Sequence, residues 1–437
     1  MTIKNCAILL LFCINVVAYA DTSHVTFESA EHIFMGDHVL LTGLHQTDVN
    51  HPIDLPLQNG LELTYGDILA MPDYYGIPNQ SISGERTFHA QKDFFKKVFF
   101  DFSHSDPAYF TAFWPIIQNE RSVIEKALKA HADVATAYAK IVDQENIDLA
   151  LATHLQYLNL SLTGFDHFNQ DAITAYRAGH AVAIHAAKHG FRMQAGLDAN
   201  TNQFCEMQSN YQQCLRSEAK KQLILAYEEN AFACHFLSDR FAAGHLRNPY
   251  RALYQTRPIP ILGALSGNLM HNEDNRLGVI VTNHSGRYWK AYGDNYYFSP
   301  QNKTSRHILQ KVLQLSADEI TRAFQTGVNT DSHSSHVIAL IPVPIPAGET
   351  VQVDGVAMQQ TAPLYQVMLG SVWQRVDVNN PQDDEWTPIW STIVTLLTYH
   401  APTESVIPMQ WQLILKAHHM EGVLNQLGVG QGLLIKK

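Results

Sequence analysis

Apolar residues recur at every third or fourth position through much of the first half of the chain, which is the spacing of one face of an α-helix. The pattern is mainly helical over residues 88–189, and Val123–Val142 and Ile147–Leu160 carry it with few helix breakers. Ile173–His189 is rich in alanine, and Gly190 follows it as the expected C-terminal stop. We therefore predict a multi-helix core.

The helical pattern breaks and then returns further along the chain. Residues 191–217, with asparagine, glutamine and two cysteines, predict a loop, whereas Glu218–Ala243 and Ser305–Gln325 predict helices. Leu277–Asn283 and Arg287–Tyr292 flank a short turn sequence and predict a β-hairpin.

The character of the chain changes after Gly327. Val337–Pro346, with proline at alternate positions, and Gly348–Val356 predict strands or extended segments. The predicted fold class is mainly α, with a C-terminal β-rich or mixed region. We place the boundary near residues 327–336, which separates a helical domain at 21–330 from a C-terminal domain at 331–437.

The first twenty residues have the three parts of an export signal: Lys4, the mostly apolar run Cys6–Val17, and Ala18-Tyr19-Ala20 as a cleavage site. About 12 such residues are too few to cross the roughly 30 Å of a bilayer core. We predict residues 1–20 to be a signal peptide of a secreted protein, periplasmic or extracellular, with no transmembrane anchor.

Cleavage after Ala20 would leave three cysteines. Export places them where thiols oxidise, so a Cys205–Cys214 disulfide is plausible across the predicted loop. Cys234 adjoins a histidine, but we interpret it as a buried structural thiol rather than a metal ligand.

Charge and histidine content narrow the function. The chain has 30 Lys and Arg against 41 Asp and Glu, so its net charge is −11. This acidic balance disfavours nucleic-acid binding, which needs a basic face. The 23 histidines are unusually many, and imidazole is the commonest protein metal ligand.

The most informative motif is His235-x3-Asp239-x5-His245. His235 and Asp239 are four residues apart, so they project from one face of a helix and can hold one metal ion. Gly244 can end the helix and allow the chain to bring His245 back to the same site. The alternative is a helix with ordinary polar surface residues.

Other polar positions extend this candidate site. Asp166 precedes His180, which lies among small residues and could equally be a hydrogen-bonded core histidine. His271 and Asp274 share a helix face at a spacing of three. Asp73 lies beside aromatic residues at a turn, where a structural turn or cap residue is the alternative.

In combination these motifs resemble the zinc-dependent phospholipase C and P1 nuclease superfamily, and in particular a Gram-negative branch of secreted phospholipases C. The resemblance covers roughly residues 60–330. Beyond the His-x3-Asp-x5-His element, the resemblance is carried by five short motifs: Leu63-Thr-Tyr-Gly-Asp-Ile-Leu-Ala, Asp166-His-Phe, Ala175-Tyr-Arg-Ala-Gly-His180, Ala243-Gly-His-Leu-Arg247 and Met270-His-Asn-Glu-Asp274. In the first of these, Thr64 and Asp67 also predict a capping box at the start of a short helix.

The resemblance implies two or three zinc ions in a helical cleft. One zinc would be bound by Asp166, His180, His235 and Asp239, and a second by His245, His271 and Asp274. Asp239 would bridge to a third, and Asp73 is a candidate ligand or water-activating carboxylate, so Asp73 and Asp239 are the catalytic candidates. An N-terminal histidine would join the third zinc, with His24, His32 and His38 all open. The carboxylate three rather than four residues after His271 departs from the family pattern.

By resemblance, residues 21–330 form the catalytic domain of a phospholipase C. It would cut the glycerol-side phosphodiester of phospholipids such as phosphatidylcholine, giving diacylglycerol and a phosphorylated head group. The expected partner is phospholipid at a membrane surface, with no nucleic acid and a monomeric chain. Trp373, Trp386, Trp390 and Trp411 could hold lipid, although we favour core positions for them. The alternatives are a P1-like nuclease or other zinc phosphodiesterase, and a non-catalytic metal-binding or surface-binding protein.

Overall fold

The computed structural model describes residues 29–256, 260–328 and 336–389, together with Thr395 and Tyr399. The predicted signal peptide, His24, Trp390 and Trp411 lie outside these residues. The fold is mainly α with small sheets toward the C-terminus, as the hydrophobic pattern predicts. None of the described helices combines the length and the apolar character needed to cross a bilayer.

Fourteen α-helices lie within the described residues. They are α1 Ser29–Asp37, α2 Tyr65–Leu69, α3 Phe88–Ser103, α4 Pro107–Lys129, α5 Val134–Tyr138, α6 Val142–Ala152, α7 Gln156–Thr163, α8 Asn169–Gln194, α9 Ala199–Glu206, α10 Tyr211–Asp239, α11 Ala243–Leu246, α12 Tyr250–Thr256, α13 Pro260–Leu277 and α14 Lys303–Thr326. Two single 3₁₀ turns, Met71–Asp73 and Phe165–His167, matter for the site below.

The strands are short and form four antiparallel sheets in the described part of the chain. They are β1 Leu55–Pro56, β2 Glu62–Leu63, β3 Val279–Thr282, β4 Tyr288–Ala291, β5 Val343–Pro344, β6 Thr350–Val353, β7 Val356–Gln359, β8 Tyr365–Met368, β9 Ser371–Arg375 and β10 Trp386–Pro388. β1 pairs with β2 and β6 with β7, whereas the other two sheets have the orders β4-β3-β5 and β10-β9-β8. β3 and β4 are the hairpin that the sequence predicts.

Helix α10 runs through the centre of the core and carries the His235 motif at its end. Every residue from Ala226 to Asp239 is buried, as expected for a helix that is covered on all sides. It packs along α8 and α14. A Cβ atom on Gly179 of α8 would lie 2.3 Å from the Phe95 ring and 2.6 Å from Ala233 Cβ, so only glycine allows these helices to approach so closely.

Several element boundaries differ from the sequence prediction. Helix α8 continues through Gly190 to Gln194 instead of stopping there. Gly190 serves a close contact, because a Cβ at that position would lie 2.8 Å from the Phe324 ring and 2.9 Å from the Ala219 carbonyl oxygen. The predicted loop at 191–217 is wrong, since it contains α9 and the start of α10.

Local capping explains two further outcomes. The predicted helix Val123–Val142 is divided, because the Asp133 side chain accepts the Thr136 N–H and starts α5 as a new helix. The predicted capping box is confirmed, with Thr64 and Asp67 bonded reciprocally at the start of α2. The Cys205–Cys214 disulfide and the buried free thiol of Cys234 are also confirmed.

The strand region is joined to the helices by pairing and by charge. β5 adds to the hairpin edge, with Val281 opposite Pro344. Arg375 of β9 makes a buried ion pair with Glu273 of α13, at 3.0 Å between Nη1 and Oε1. The division of the chain at residue 330 remains a prediction.

Candidate metal centre

Buried histidines and aspartates from distant parts of the chain meet at the C-terminal end of α10. Three sets of side chains have donor atoms within 4.8 Å of one another and could hold a metal ion: His32, Asp73 and His235; His167, His235 and Asp239; and His245, His271 and Asp294. The first two sets share His235. We call their five residues (His32, Asp73, His167, His235, Asp239) the inner group and the third set the outer group.

Each residue of the inner group is placed by an α-helix or by a 3₁₀ turn. Asp239 ends α10, one turn after His235. His32 lies in α1, while Asp73 and His167 each end a single 3₁₀ turn. Such turns present one side chain inward without extending a helix into the core.

The donor atoms of the inner group converge on Asp239 and Asp73. Asp239 Oδ2 lies 2.9 Å from His167 Nδ1 and 3.4 Å from His235 Nε2, and its Oδ1 lies 3.6 Å from His32 Nε2. Asp73 Oδ1 lies 3.3 Å from His235 Nε2 and 3.8 Å from His167 Nδ1. A cation placed among these atoms would be shared by oxygen and nitrogen donors.

The outward ring nitrogens are engaged, which orients the inward ones. His235 Nδ1 donates to the Leu69 carbonyl oxygen at 2.9 Å. The Ser238 hydroxyl donates to the His235 carbonyl, so it accepts from His32 Nδ1 at 3.0 Å. With Nδ1 carrying the proton, Nε2 of both rings is left as a lone-pair donor that faces the carboxylates, as in metal-ligating histidines.

The outer group is built in the same way from three other elements. His245 of α11 donates from Nδ1 to the His167 carbonyl oxygen at 2.8 Å, which ties the outer group to the inner one. Its Nε2 faces His271 Nε2 of α13 at 3.1 Å and Asp294 Oδ2 at 3.5 Å. Asp294 Oδ2 also lies 2.9 Å from His271 Nε2.

Two residues hold Asp294 in place, although it belongs to an irregular segment after β4. The Asn275 side-chain amide donates to Asp294 Oδ2 at 3.1 Å, and its carbonyl oxygen accepts the Gly244 N–H. The buried Glu31 carboxylate accepts the N–H groups of Asn295 and Tyr297. Because Glu31 precedes His32 in α1, one helix turn supports both groups. A narrow cavity reaches both, lined in part by Glu31, His32, Asp239, Tyr292, Asp294 and Arg306.

The charges of the site are strongly interdependent. Burial alone would raise the pKa of Asp239, but His235, His245 and His167 outweigh it and hold that pKa well below its usual value. His245 and His271 do the same to the pKa of Asp294 against its own burial. In return, Asp239 and Asp294 overcome burial and raise the pKa of His245 to about 9. The carboxylates therefore require positive charge, which protons or a metal ion can supply.

His32 has a pKa shifted in the opposite direction to that of His245. Burial, aided by His235, lowers its pKa to about 4 in spite of the nearby carboxylates. A neutral imidazole is the form that binds metals, so His32 is held as a potential ligand rather than as a cation.

Asp73 provides the sharpest test of whether the inner group fits a metal ion. Its side chain is buried, and neither carboxylate oxygen has a hydrogen-bond partner. A buried carboxylate without hydrogen bonds is expensive unless it is paired with a charge or coordinates a metal. Ring nitrogens of His235, His167 and His32 lie around it and can themselves bind a metal ion, so the residues present fit a bound cation.

Five of the eight predicted site residues are brought together: Asp73, His235, Asp239, His245 and His271. The helix spacing suggested that His245 would return to the set of His235 and Asp239, which is wrong; His245 instead lies with His271 in the outer group, as the resemblance implied. The helix ends at Asp239 and not at Gly244, and Gly244 lies within α11.

The other three predicted residues are outside both groups and need correction as ligand candidates. Asp166 turns away to accept the backbone N–H groups of Ile82 and Ser83. His180 is buried against Glu319, at 2.9 Å from its Oε2. Asp274 is held bidentately by Arg247, at 2.7 and 3.0 Å. Each is already satisfied by a protein partner.

Three residues of the groups were not assigned by the motifs. His32 was one of three open N-terminal candidates, and of the others His38 is exposed and bonded to its own helix at Phe34. His167 is adjacent to the predicted Asp166, so the motif pointed to the correct turn but to the wrong side chain. Asp294 follows no metal-ligand spacing, and no signal in the sequence identifies it.

Comparisons of the chain with protein-family models, with curated proteins and with solved structures find no match. We therefore infer function from the chemistry of the inner and outer groups, together with the sequence motifs.

Proposed function

We propose that this chain is an exported zinc-dependent phosphodiester hydrolase, specifically a phospholipase C that acts on glycerophospholipids. The observation that carries the proposal is the convergence of the inner group around a buried Asp73 carboxylate that has no hydrogen-bond partner, with the outer group tied to it by the bond from His245 to the His167 carbonyl oxygen. Structural ion pairs satisfy their carboxylates, as Asp274 is satisfied by Arg247. An unsatisfied one among histidines favours a metal site.

The donor set suits zinc. Imidazole nitrogen and carboxylate oxygen are typical zinc ligands, and no described thiol takes part, which is usual for catalytic rather than structural zinc sites. The two candidate sets of the inner group share His235, and its Nε2 can bind one ion only. The inner group would therefore hold one ion that His235 binds, or that ion and a second one without His235. The outer group would hold one more. Zinc bound there would lower the pKa of a water molecule toward about 7 and offset the charge that develops on phosphoryl oxygens.

The remaining tasks in hydrolysis fall to side chains of this protein. Asp73 has carboxylate oxygens that no protein donor occupies, so it can act as a ligand or accept a proton from water. Asp239 faces His32, His167 and His235 together and keeps their rings directed at one point. Phe168 stacks on the His245 ring, with centroids 4.7 Å apart, and fixes the ring plane of the outer group.

A phospholipid is favoured over a nucleic acid as the substrate. The net charge of −11 opposes a polyanion, and Arg247 beside the outer group is neutralised by Asp274. The sequence motifs resemble phospholipases C most closely, and phosphatidylcholine is the default substrate on that basis.

The first experiment measures phosphorylcholine release from phosphatidylcholine vesicles by the purified mature chain. We expect release to stop after chelation and to return when zinc is added. If no condition gives release while single-stranded nucleic acid is cut in a zinc-dependent way, the phospholipase proposal is overturned in favour of a nuclease.

The second experiment compares Asp239→Asn with Asp318→Asn, which alters a carboxylate on α14 away from both groups. We expect Asp239→Asn to lower turnover by at least about 100-fold, the upper range for losing a supporting partner of a metal ligand. Asp318→Asn should retain activity. A folded Asp239→Asn variant with normal turnover would place the reaction elsewhere in the molecule.

A further inference from the structure

The hairpin of β8 and β9 carries an apolar tip that projects into solvent. Leu369 and Gly370 connect the two strands, with Met368 opposite Ser371 as the last pair. Leu369 is 98% exposed and Val367 is 51% exposed. Met368 and Trp373 beside them are half-buried.

The conformation of Leu369 makes its exposure informative. Leu369 has φ +50° and Gly370 has φ +75°, so both turn residues are left-handed. Two-residue hairpins of this kind favour Asn-Gly, because both turn residues need positive φ, which L-residues other than Asn and Asp resist. Leu369 is therefore held in an unfavourable conformation and buries no apolar area in return. An external apolar contact would account for it.

The side chains of the tip suit a lipid interface better than water. Residues 361–374 contain no aspartate, glutamate, lysine or arginine. The Trp373 indole N–H donates to the Met368 carbonyl oxygen at 3.2 Å, so the ring can leave water without an unsatisfied donor. Tryptophan beside aliphatic residues is characteristic of the interface between lipid head groups and acyl chains.

The base of the hairpin is fixed to α13, the helix that also carries His271 of the outer group. Arg375, at the end of β9, is held by both oxygens of Glu273 at 3.0 Å, and Glu273 lies two residues from His271 in α13. The strand from Ser371 to Arg375 has 5 residues and spans roughly 15 Å between the turn and this ion pair. The hairpin therefore has its base bonded to α13 and its apolar tip in solvent.

We propose that the β8–β9 tip, formed by Val367, Met368, Leu369 and Trp373, inserts into the surface of a phospholipid bilayer. Because the tip has no cation to pair with anionic head groups, its surface is a zwitterionic one such as phosphatidylcholine. This inference rests on the proposed function, because a phospholipase C has to reach such a surface. Binding to the surface can nevertheless be tested without measuring hydrolysis.

The test measures co-sedimentation of the full chain with phosphatidylcholine vesicles after chelation. We expect Leu369→Asp to lower the bound fraction at least tenfold, because it places a charge at the tip. The matched control is Leu197→Asp, which changes another exposed leucine at 62% exposure, outside the hairpin, and should bind as the wild type does. Leu369→Asn suits the turn and should fold well, yet it should also lose binding.

Turnover separates this inference from the proposed function. With Leu369→Asn we expect vesicle hydrolysis to fall while hydrolysis of a soluble chromogenic phosphorylcholine ester stays unchanged, since residue 369 is not part of either group. If wild-type vesicle binding is lost in Leu369→Asn but no substrate is ever cut, the tip inference stands and the proposed function fails. Normal vesicle binding by both Leu369 variants overturns the inference. It is also overturned if the Leu369 variants change the oligomeric state of the chain instead of its binding to vesicles.

Discussion

At the scale of single residues, the described structure contains two kinds of buried carboxylate without full hydrogen bonding. Asp73 is surrounded by histidines and points to a bound cation. Glu228 and Glu229 of α10 also have unpartnered oxygens, but no histidine is among the groups that shift their pKa. Burial raises the pKa of each to about 8, which favours the neutral form. The surroundings, and not burial alone, separate a site from a structural acid.

The raised pKa of Glu228 predicts that the stability of the fold depends on pH. A carboxyl group with a pKa of about 8 in the folded chain and 4.5 when unfolded contributes stability that is fully present below pH 4.5 and is lost as the pH rises through 8. Glu228→Gln has no proton to lose. We expect its Tm to match that of the wild type at pH 4.5 and to exceed it by several degrees at pH 9. The exposed Glu206→Gln variant serves as the control, and equal Tm values for wild type and Glu228→Gln at pH 9 would contradict the prediction.

At the scale of elements, the outer group depends on how α13 faces the segment after β4. His271 and Asn275 lie one helical turn apart, and the Asn275 amide nitrogen is 3.2 Å from His271 Nε2 and 3.1 Å from Asp294 Oδ2. Helix α13 thus presents the uncharged Asn275 side chain at a position where a carboxylate would also fit. The negative charge of the outer group comes from Asp294 instead. Glu31 of α1 keeps that segment in position through two backbone N–H groups.

An exchange of these two side chains tests the arrangement. Asp294→Asn should weaken binding of the outer metal ion at least tenfold, because its only carboxylate is lost. The double variant Asn275→Asp/Asp294→Asn returns one carboxylate to the same place and should recover part of that affinity. Bound zinc per chain, measured after dialysis against a chelator series, provides the comparison. A double variant no better than the single one would show that Asn275 does not face the ion.

At the scale of the whole molecule, the strand region and the helices are held together by a buried charge pair. Arg375 and Glu273 are both buried, Tyr399 donates to the same carboxylate, and Gln360 bonds the backbone of β3 at Ile280. Removal of one partner of a buried pair leaves an uncompensated charge, whereas removal of both costs little. This asymmetry makes the junction testable.

We expect Arg375→Met to lower the free energy of unfolding by about 3–5 kcal/mol. Arg375→Met/Glu273→Met, which removes both charges, should recover most of that loss. Urea unfolding followed by fluorescence measures both, with the exposed Arg322→Met variant as the control. If Arg375→Met unfolds like the wild type, the pair does not stabilise the junction.

Local patterns in the sequence determined much of this protein. The helical class, the hairpin of β3 and β4, the capping box of Thr64 and Asp67 and the Cys205–Cys214 bridge all follow from interactions between residues close in the chain. The same holds for the pairing of His235 with Asp239, because a spacing of four fixes a common helix face.

Only the tertiary structure decided which other side chains meet them. Asp166 and His167 are adjacent in one 3₁₀ turn, yet one bonds a distant loop and the other enters the inner group. His180 has the helical surroundings of a ligand, but α14 brings Glu319 to it first. Asp294 becomes a candidate ligand because Glu31 and Asn275 hold its segment against α13. These outcomes depend on contacts between residues far apart in the chain, which periodicity and spacing do not encode.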